Sequence, residues 1–269
     1  MIEKSPSAEF AGQVAVVTGG GSGIGRAIAV RYAAGGGDVV VLGRRQEPLE
    51  ETARMIESFG VQAGIASCDV RDAAALTAAI DGVVADHGRI DAMVNNAAGN
   101  FICPAEDLSP GGWRAVVDIV LNGTFYGTSA AGRHMLQAGR GSILNVIASY
   151  AWHGHPGTVH SAAAKGGVLA MTRTLASEWG ARGVRVNCVS PGPTETEGAG
   201  AALWPTDEDR RRVLASVPAA RFTTPEEVAE SATFLLDPKR AGYITGDVLS
   251  VDGGQWLGKA IYADSSARS

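Results

Sequence analysis

Four side chains in this sequence could handle a carbonyl oxygen or a hydroxyl proton: Tyr150, Asn100, Ser161 and Lys165. Ser161 and Lys165 belong to the segment "VHSAAAKGG", whose alanines and four-residue spacing predict a helix with both side chains on one face. A lysine in such a small-residue helix is hard to explain without a site. Tyr150 and Asn100 each follow a predicted strand, so a phenol and an amide would be available as hydrogen-bond donors at a sheet edge.

The elements that must position these side chains alternate between short β-branched runs and longer alanine-rich segments of helical period. The sequence predicts strands at residues 14–18, 38–42, 62–67, 92–95, 141–147, 185–189 and 248–251. It predicts helices at residues 23–34, 48–59, 73–87, 112–137, 158–179 and 225–236. Seven strands separated by crossover helices indicate an α/β fold with a parallel, doubly wound sheet.

Nothing in the composition divides the chain. The 269 residues are 45% hydrophobic and 19% charged, which is typical of a globular protein, and no linker-like segment interrupts them. We therefore predict a single domain over residues 1–269. Residues 194–220, which include "DEDRRRVL", break the alternation and are predicted to form an irregular, mobile substrate lid. The arginines at 210–212 could meet an anionic substrate, but an exposed, charged helix face is favoured.

Charge, hydropathy and cysteine content exclude several classes of function. A net charge of −5 argues against nucleic acid as a partner. No apolar run reaches the roughly 18 residues of a membrane span, and "MIEKSPSAEFAGQ" has no apolar signal-peptide region. The three cysteines show no CxxC spacing, so neither a disulfide framework nor a structural metal is expected. A reducing cytoplasm is the predicted location.

Other reactive side chains near the candidate site can be explained without a catalytic or metal-binding role. His153, His155 and His160 lie close to Tyr150 in the sequence, but no carboxylate spacing completes a metal site, so no metal is expected. Cys103 could be a nucleophile, although a residue that merely lines the site is favoured. The alternative for Tyr150 is a strand-end aromatic that only covers the core, but a role in the site is favoured.

A glycine-rich turn, "TGGGSGIG", lies between the first predicted strand and the first predicted helix. Glycines let a backbone approach a pyrophosphate closely, and the amino end of a helix supplies N–H groups and a favourable dipole. Since tight turns between a strand and a helix favour glycine in any case, this turn alone also fits a structural role.

Together with three further segments, this turn resembles the short-chain dehydrogenases/reductases. Thr18-Gly19-x-x-x-Gly23-x-Gly25 is similar to their TGxxxGxG turn, and "NNAAG" at 95–99 to their NNAG element. "SPGPTET" at 190–196 resembles their nicotinamide-side loop, and the likeness runs in order from about residue 13 to 257. The resemblance implies a Rossmann-type fold and a nicotinamide cofactor. By position it assigns cofactor contacts to Gly19, Ser22, Gly23, Ile24, Gly25, Asp69 (adenine), Val70, Asn96, Ala97, Lys165, Pro191, Gly192, Thr194 and Thr196.

The choice of cofactor can be argued from the residues after the second predicted strand. The sequence there is "LGRRQ", with no acidic residue to accept from a ribose 2′-hydroxyl. Arg44, Arg45 and Arg26 could instead pair with a 2′-phosphate, so NADPH is predicted. The alternative is that these arginines are solvated surface residues.

The catalytic tyrosine of that family is missing. Its Asn-Ser-Tyr-Lys set aligns with Val120, Ala148, Ser161 and Lys165, so three of four residues are replaced. A serine hydroxyl is too weak an acid to protonate the alkoxide formed from a ketone. Conjugate reduction of an unsaturated thioester needs only hydrogen bonds to an enolate-like oxygen. An enzyme for this reaction could therefore function without the family tyrosine.

The replacement itself resembles one branch, the 2,4-dienoyl-CoA reductases. That branch shows "NNAAGNF", "SAxAK" in place of YxxxK, and a tyrosine eleven residues before the serine, which is Tyr150 here. By position, Tyr150 and Asn100 would bind the thioester oxygen, Lys165 would hold the nicotinamide ribose, and Ser161 would orient the lysine or the cofactor. Other members use an acidic residue on the long helix; Asp118 is close to that position, but the tyrosine version is favoured.

The resemblance implies NADPH-dependent reduction of 2,4-dienoyl-CoA to 3-enoyl-CoA in fatty acid β-oxidation. It also implies a homotetramer formed through the helices at 112–137 and 158–179. Two alternatives stay open: an ordinary carbonyl or alcohol oxidoreductase in which Tyr150 alone is the acid, and an NADP(H)-binding protein without catalysis.

Overall fold

Seven short strands form one parallel sheet in a computed structural model, which describes residues 9–196 and 203–257. Along the chain they are β1 (Val14–Thr18), β2 (Asp38–Gly43), β3 (Ala63–Ser67), β4 (Ala92–Asn95), β5 (Gly141–Val146), β6 (Val184–Pro191) and β7 (Val248–Val251). Their order across the sheet is β3-β2-β1-β4-β5-β6-β7. The order reverses between β1 and β4, and ligands of such sheets bind at the carboxyl ends beside this switch point. The predicted fold class is confirmed.

Helices cover both faces of the sheet. They are α1 (Gly23–Ala34), α2 (Gln46–Glu57), α3 (Ala73–His87), α4 (Pro110–Val117), α5 (Gly123–Ala138), α6 (Tyr150–His153), α7 (Val159–Trp179), α8 (Asp207–Ala215) and α9 (Pro225–Leu236). Helix α1 packs against α9, and α3 packs against α5. None of the described helices is both long and apolar enough to cross a membrane.

The central strands are buried on both faces, which explains their continuous apolar sequence. In β1, Ala15 and Val17 belong to the cluster on the α1 side, whereas Val14 and Val16 belong to the cluster on the other side. This division follows from the alternation of side chains along a strand. Burial on both faces is typical of parallel sheets, and it fixes where the strand ends lie.

The single helix predicted over 112–137 is interrupted. Helix α4 ends at Val117, five residues from Asp118 to Asn122 form a π-helical turn, and α5 follows. Two side chains bond within this region: Asn122 Nδ2 donates to Asp118 Oδ1 at 2.9 Å, and Thr124 Oγ1 donates to the Val120 carbonyl at 2.7 Å. The residues predicted as one helix are helical throughout, but the π-helical turn was not predicted, because apolar periodicity carries no information on a local change of pitch. Turns of this type are frequent at functional sites.

The predicted lid is more regular than expected. Residues 197–202 of it lie outside the described part of the chain, but α8 occupies 207–215 and begins with a capping box between Thr206 and Asp209. The arginines of this helix are paired within the protein: Arg210 with Glu195 at 2.5 Å, and Arg211 with Glu208 at 2.8 Å. These pairs favour the exposed, charged helix face over a dedicated anion site.

Candidate active site

The glycine turn after β1 leaves no room for side chains. A Cβ atom on Gly25 would lie 2.4 Å from the Gly19 carbonyl oxygen and 2.4 Å from Asn96 Nδ2. Gly19 and Gly23 have positive φ values of 65° and 52°, which favour glycine. Ser22 stands at the N-cap of α1 without a side-chain cap bond, so the first N–H groups of this helix receive no acceptor from it. The turn therefore fits a pyrophosphate at the helix terminus.

The end of β4 is tied to this turn by Thr18. The Thr18 hydroxyl accepts hydrogen bonds from the backbone N–H groups of Asn96 (3.0 Å) and Ala97 (3.1 Å). The Asn96 side chain in turn donates to the carbonyls of Thr18 (3.1 Å) and Gly19 (3.3 Å). These bonds bring the two predicted cofactor elements together and fix the backbone around the switch point.

The loop after β6 closes the other side of this crevice. Thr194 donates its hydroxyl to the Gly192 carbonyl at 3.0 Å, and Gly192 lies directly against Asp252. The methyl group of Thr196 would be 3.2 Å from a Cβ on Gly23. Pro191 ends β6 at the same edge. The glycine turn and the predicted nicotinamide loop thus face each other.

The end of the crevice where the adenine of the cofactor is predicted to bind contains an ion pair that the sequence did not indicate. Both carboxylate oxygens of Asp69 accept from the Arg71 guanidinium, with a shortest distance of 2.6 Å. Hydrogen bonds from Arg71 lower the pKa of Asp69, with a smaller contribution from the charge of Arg44. Val70 is buried against Gly123, and Ile24 packs on the core beside the turn.

The three arginines proposed for a 2′-phosphate are not equivalent. Arg44 and Arg45 follow β2 with exposed side chains. Arg26 donates to the Gly21 carbonyl, to Glu51 (both 2.7 Å) and to Thr52. Because its donors serve the glycine turn and α2, Arg26 braces the turn, and the expectation that it binds a 2′-phosphate is not supported by this arrangement.

Lys165 is buried, with 6% of its surface exposed, and its ammonium donates to the Val146 carbonyl. Burial lowers the pKa of Lys165 to about 8. An ammonium that has exchanged water for a single backbone acceptor retains two free donors, which suits the hydroxyls of a cofactor ribose. Cys188 on β6 raises the pKa of Lys165, but by less than burial lowers it. Burial also raises the pKa of the Cys188 thiol to about 11, so this thiol is neutral at pH 7.

The structure brings Tyr150, Ser161 and Asn100 together. Tyr150 begins α6 just beyond β5, and its hydroxyl lies 3.1 Å from Ser161 Oγ on the first turn of α7. Burial raises the pKa of Tyr150, and hydrogen bonding by Ser161 and Asn100 only partly opposes this rise. The phenol is therefore protonated at neutral pH and acts as a hydrogen-bond donor rather than a base.

An apolar cluster replaces the missing family residues. Val120, at the asparagine position, is 1% exposed and packs with Val116 and Ala164. Ala148 has no side chain that could donate a proton. Asp118 lies in the π-helical turn, and its carboxylate already accepts from Asn122.

Sequence reasoning missed the role of packing around His160. Its ring is 0% exposed and packs at a tilt on Phe101, whereas His153 at the end of α6 and His155 in the following loop are exposed. The three histidines therefore do not converge, and the described residues hold no cluster of three or more potential metal ligands. Cys103 forms part of the loop after Asn100, where its N–H donates to the Gly157 carbonyl at 2.9 Å.

Comparison with known proteins adds to this geometry. A family model described as Enoyl-(Acyl carrier protein) reductase matches residues 19–255. A protein of Bacillus subtilis (strain 168), named "Probable 2,4-dienoyl-CoA reductase" and qualified as (2E)-enoyl-CoA-producing, is 50% identical over 244 residues, which are 90% of this chain and 96% of the relative.

Two crystal structures are also similar to the chain. A short chain dehydrogenase from Bacillus anthracis is 46% identical with a TM-score of 0.83, over 93% of this chain and 98% of the other. A protein assigned as an NAD(P) dependent gluconate 5-dehydrogenase from Beutenbergia cavernae, with NADP bound at low occupancy, is 37% identical with a TM-score of 0.86, over 92% and 98% of the two chains.

Proposed function

Because the chain belongs to the short-chain dehydrogenase/reductase family, and is therefore a nicotinamide-dependent oxidoreductase, we propose that it reduces 2,4-dienoyl-CoA thioesters to 3-enoyl-CoA with NADPH. The proposal rests above all on one observation. The Tyr150 hydroxyl lies beside Ser161, which occupies the position of the family tyrosine, and Asn100 also acts on this hydroxyl. The similarity to the Bacillus subtilis relative supports the same substrate class.

In this reaction the protein must stabilise negative charge that develops on the thioester oxygen. When bound, the reduced nicotinamide supplies a hydride to C5 of the dienoyl chain. The electron pair of the C4–C5 double bond then moves toward the thioester, a C3–C4 double bond forms, and negative charge gathers on the thioester oxygen. Tyr150 and Asn100 donate hydrogen bonds to that oxygen, and preorganised donors of this kind stabilise the charge more than water does.

The final proton decides the product. Protonation of the dienolate at C2 leaves the C3–C4 double bond and gives the 3-enoyl thioester, whereas protonation at C4 gives the 2-enoyl thioester. In this proposal the Tyr150 hydroxyl, oriented by Ser161, meets the thioester oxygen on C1, and C1 is bonded to C2 and not to C4. We therefore propose the 3-enoyl product, although the qualifier of the Bacillus subtilis relative gives the (2E)-enoyl product for that protein.

The residues present fit a nicotinamide dinucleotide. The glycine turn accepts a pyrophosphate without steric conflict, and the buried Lys165 keeps free donors at the opposite end of the crevice. NADPH rather than NADH is proposed because Arg44 and Arg45 stand exposed after β2, with no carboxylate at these two positions to bind a 2′-hydroxyl. The similar Beutenbergia cavernae structure contains NADP.

A carbonyl or alcohol oxidoreductase is the second candidate, since the Beutenbergia cavernae protein is assigned to an alcohol-oxidising activity. In this case Tyr150 would have to protonate an alkoxide. Burial raises the pKa of Tyr150, which makes its phenol a weaker acid and disfavours that role. A non-catalytic NADP(H)-binding protein predicts tight cofactor binding, no turnover, and function that survives Lys165→Ala.

Product analysis tests the proposal. The protein is incubated with NADPH and a 2,4-dienoyl-CoA, and the product is identified by NMR. We expect stoichiometric NADPH oxidation and a C3–C4 double bond. A C2–C3 double bond would overturn the product assignment but keep the reaction class, whereas an unchanged dienoyl thioester would overturn the proposed function.

We also propose a cytoplasmic homotetramer assembled through α4, α5 and α7. Trp113 of α4 and Phe125 of α5 are large apolar side chains that stay 38% and 51% exposed in the single chain, as expected of an interface. Sedimentation of the full chain tests the assembly, and Phe125→Glu is expected to dissociate it. A monomer for the unmodified chain would contradict this proposal.

A further inference from the structure

His160 is a buried titratable residue that the proposed chemistry does not use. It lies on the first turn of α7, directly before Ser161, and 0% of its surface is exposed. Within the described part of the chain, neither ring nitrogen makes a hydrogen bond of good geometry, and the ring has only a weaker polar contact with the Phe101 backbone. A buried polar group without a partner costs free energy that an apolar side chain would avoid. Local conflicts of this type concentrate at functional sites, so His160 calls for an explanation.

The ring of His160 makes one specific contact. It packs on the ring of Phe101 with a centroid separation of 4.5 Å and an interplanar angle of 54°. Phe101 is itself 36% exposed, so His160 covers its inner side and leaves its outer side at the mouth of the site. Burial lowers the pKa of His160, and the hydrogen-bonding contact with the Phe101 backbone opposes this shift only in part.

Phe101 controls the direction of the Asn100 amide. The backbone N–H of Phe101 donates to Asn100 Oδ1 at 2.9 Å. Because the carbonyl side of the amide is occupied in this way, its NH₂ group is the side left for donation. Hydrogen bonding by Asn100 acts on the Tyr150 phenol, as expected if this NH₂ group points toward it.

The loop that carries Asn100 is held at a second point by the segment before α7. The Cys103 N–H donates to the Gly157 carbonyl at 2.9 Å, and Ile102 lies so close to Gly157 that a Cβ there would be 2.9 Å from its side chain. The loop after β4 is thus contacted at two points, by Gly157 at Cys103 and by His160 at Phe101.

We propose that His160 is a positioning residue: its ring holds Phe101, and through the Phe101 amide it sets the direction in which Asn100 donates its hydrogen bond. The proposal rests on the proposed function only in that Asn100 acts on the substrate oxygen. Ser161 orients Tyr150 from the next position of the same helix, so adjacent residues of α7 would align both donors of the site.

A double-mutant cycle tests the coupling. His160→Ala is expected to lower kcat roughly tenfold, since small displacements of a donor are costly, and to leave the Kd of NADPH within about twofold. In the Asn100→Ala background, His160→Ala should change kcat less than about twofold. His160→Phe keeps an aromatic face on Phe101, so its kcat should stay within about threefold of the unmodified protein, with a raised Tm. Exposed His155→Ala is the control and should match the unmodified protein.

A second readout needs no substrate. The side-chain amide of Asn100 is followed by NMR in asparagine-labelled protein, where His160→Ala should shift or broaden its signal and His155→Ala should not. An unchanged signal, additive losses in the cycle, or a His160→Phe variant as impaired as His160→Ala would each overturn the proposal. If the alanine variant does not fold, His160→Leu replaces it with the same expected outcomes. Failure of the dienoyl-CoA assay alone would overturn the proposed function. The NMR test would still decide whether His160 positions Asn100, because it needs no substrate.

Discussion

The hydroxyl oxygens of Tyr150 and Ser161 lie 3.1 Å apart, one at the start of α6 and the other on the first turn of α7. Ser161 occupies the position of the family's catalytic tyrosine, and this contact joins it to Tyr150, eleven residues earlier in the sequence. The replaced position therefore still contacts the candidate site, where Ser161 lies within hydrogen-bond distance of the phenol that we propose meets the substrate.

Removing either proposed donor should damage turnover most. Tyr150→Phe and Asn100→Ala are each expected to lower kcat by roughly 10²–10³, or about 2.7–4 kcal/mol, because each removes one donor to the developing oxyanion. Ser161→Ala removes only an orienting bond and should cost less. Steady-state kinetics with a 2,4-dienoyl-CoA measures these effects, and the Kd of NADPH serves as the control for folding. Ser161→Ala as the most damaging change would contradict the assignment.

Cofactor affinity should depend on pH through Lys165. Burial lowers the pKa of this lysine to about 8, so the ammonium that donates to the ribose is lost as the pH rises through this value. The affinity for NADPH should then fall above pH 8, by at most about tenfold per unit. Fluorescence titration between pH 6 and pH 10 measures it, and Lys165→Met should bind more weakly without this pH dependence. A flat profile in the unmodified protein would rule out the assignment.

The preference for NADPH should reside in Arg44. Arg44→Asp removes a cation for the 2′-phosphate and adds an acceptor for a 2′-hydroxyl, so the ratio of kcat/KM values for NADPH and NADH should fall by roughly tenfold or more. Arg54→Asp on the exposed side of α2 makes the same change of charge and should leave the ratio unaltered. An equal effect of both variants would show a general effect of charge instead.

Loss of the Thr18 hydroxyl should destabilise the crevice. Thr18→Val leaves the N–H groups of Asn96 and Ala97 without their acceptor, which should lower the free energy of unfolding by about 1–3 kcal/mol. Thr174→Val removes a hydroxyl that bonds only to the Ala170 carbonyl on an exposed helix face, and it should have a smaller effect. Urea unfolding compares the two variants, and equal losses would argue against the role of Thr18.

Much of the fold was predictable because local rules and burial agree. Strands β1, β4 and β7 and helices α1, α3 and α9 have the predicted bounds. Strand runs buried on both faces stand out as continuous apolar segments. The structure shows caps that agree with these bounds, Asp72 before α3 and the Thr224–Glu227 capping box before α9.

The remainder depends on contacts between segments that are distant in the sequence. Phe101, whose N–H donates to the Asn100 side chain, rests on His160 of α7, and the π-helical turn between α4 and α5 has no signal in apolar periodicity. The sequence placed Tyr150 and Asn100 at strand ends and Lys165 on a helix, but only the fold shows that burial raises the pKa of Tyr150 and that Ser161 lies beside its hydroxyl.

The central claim is reduction of a carbon–carbon double bond, and a substrate panel tests it most directly. NADPH oxidation is measured with a 2,4-dienoyl-CoA, with 3-oxoacyl thioesters and with simple ketones, at the same enzyme concentration. We predict that kcat/KM for the dienoyl thioester exceeds that for every carbonyl substrate, and that Tyr150→Phe abolishes this advantage. Turnover confined to the ketones or 3-oxoacyl thioesters would contradict the account.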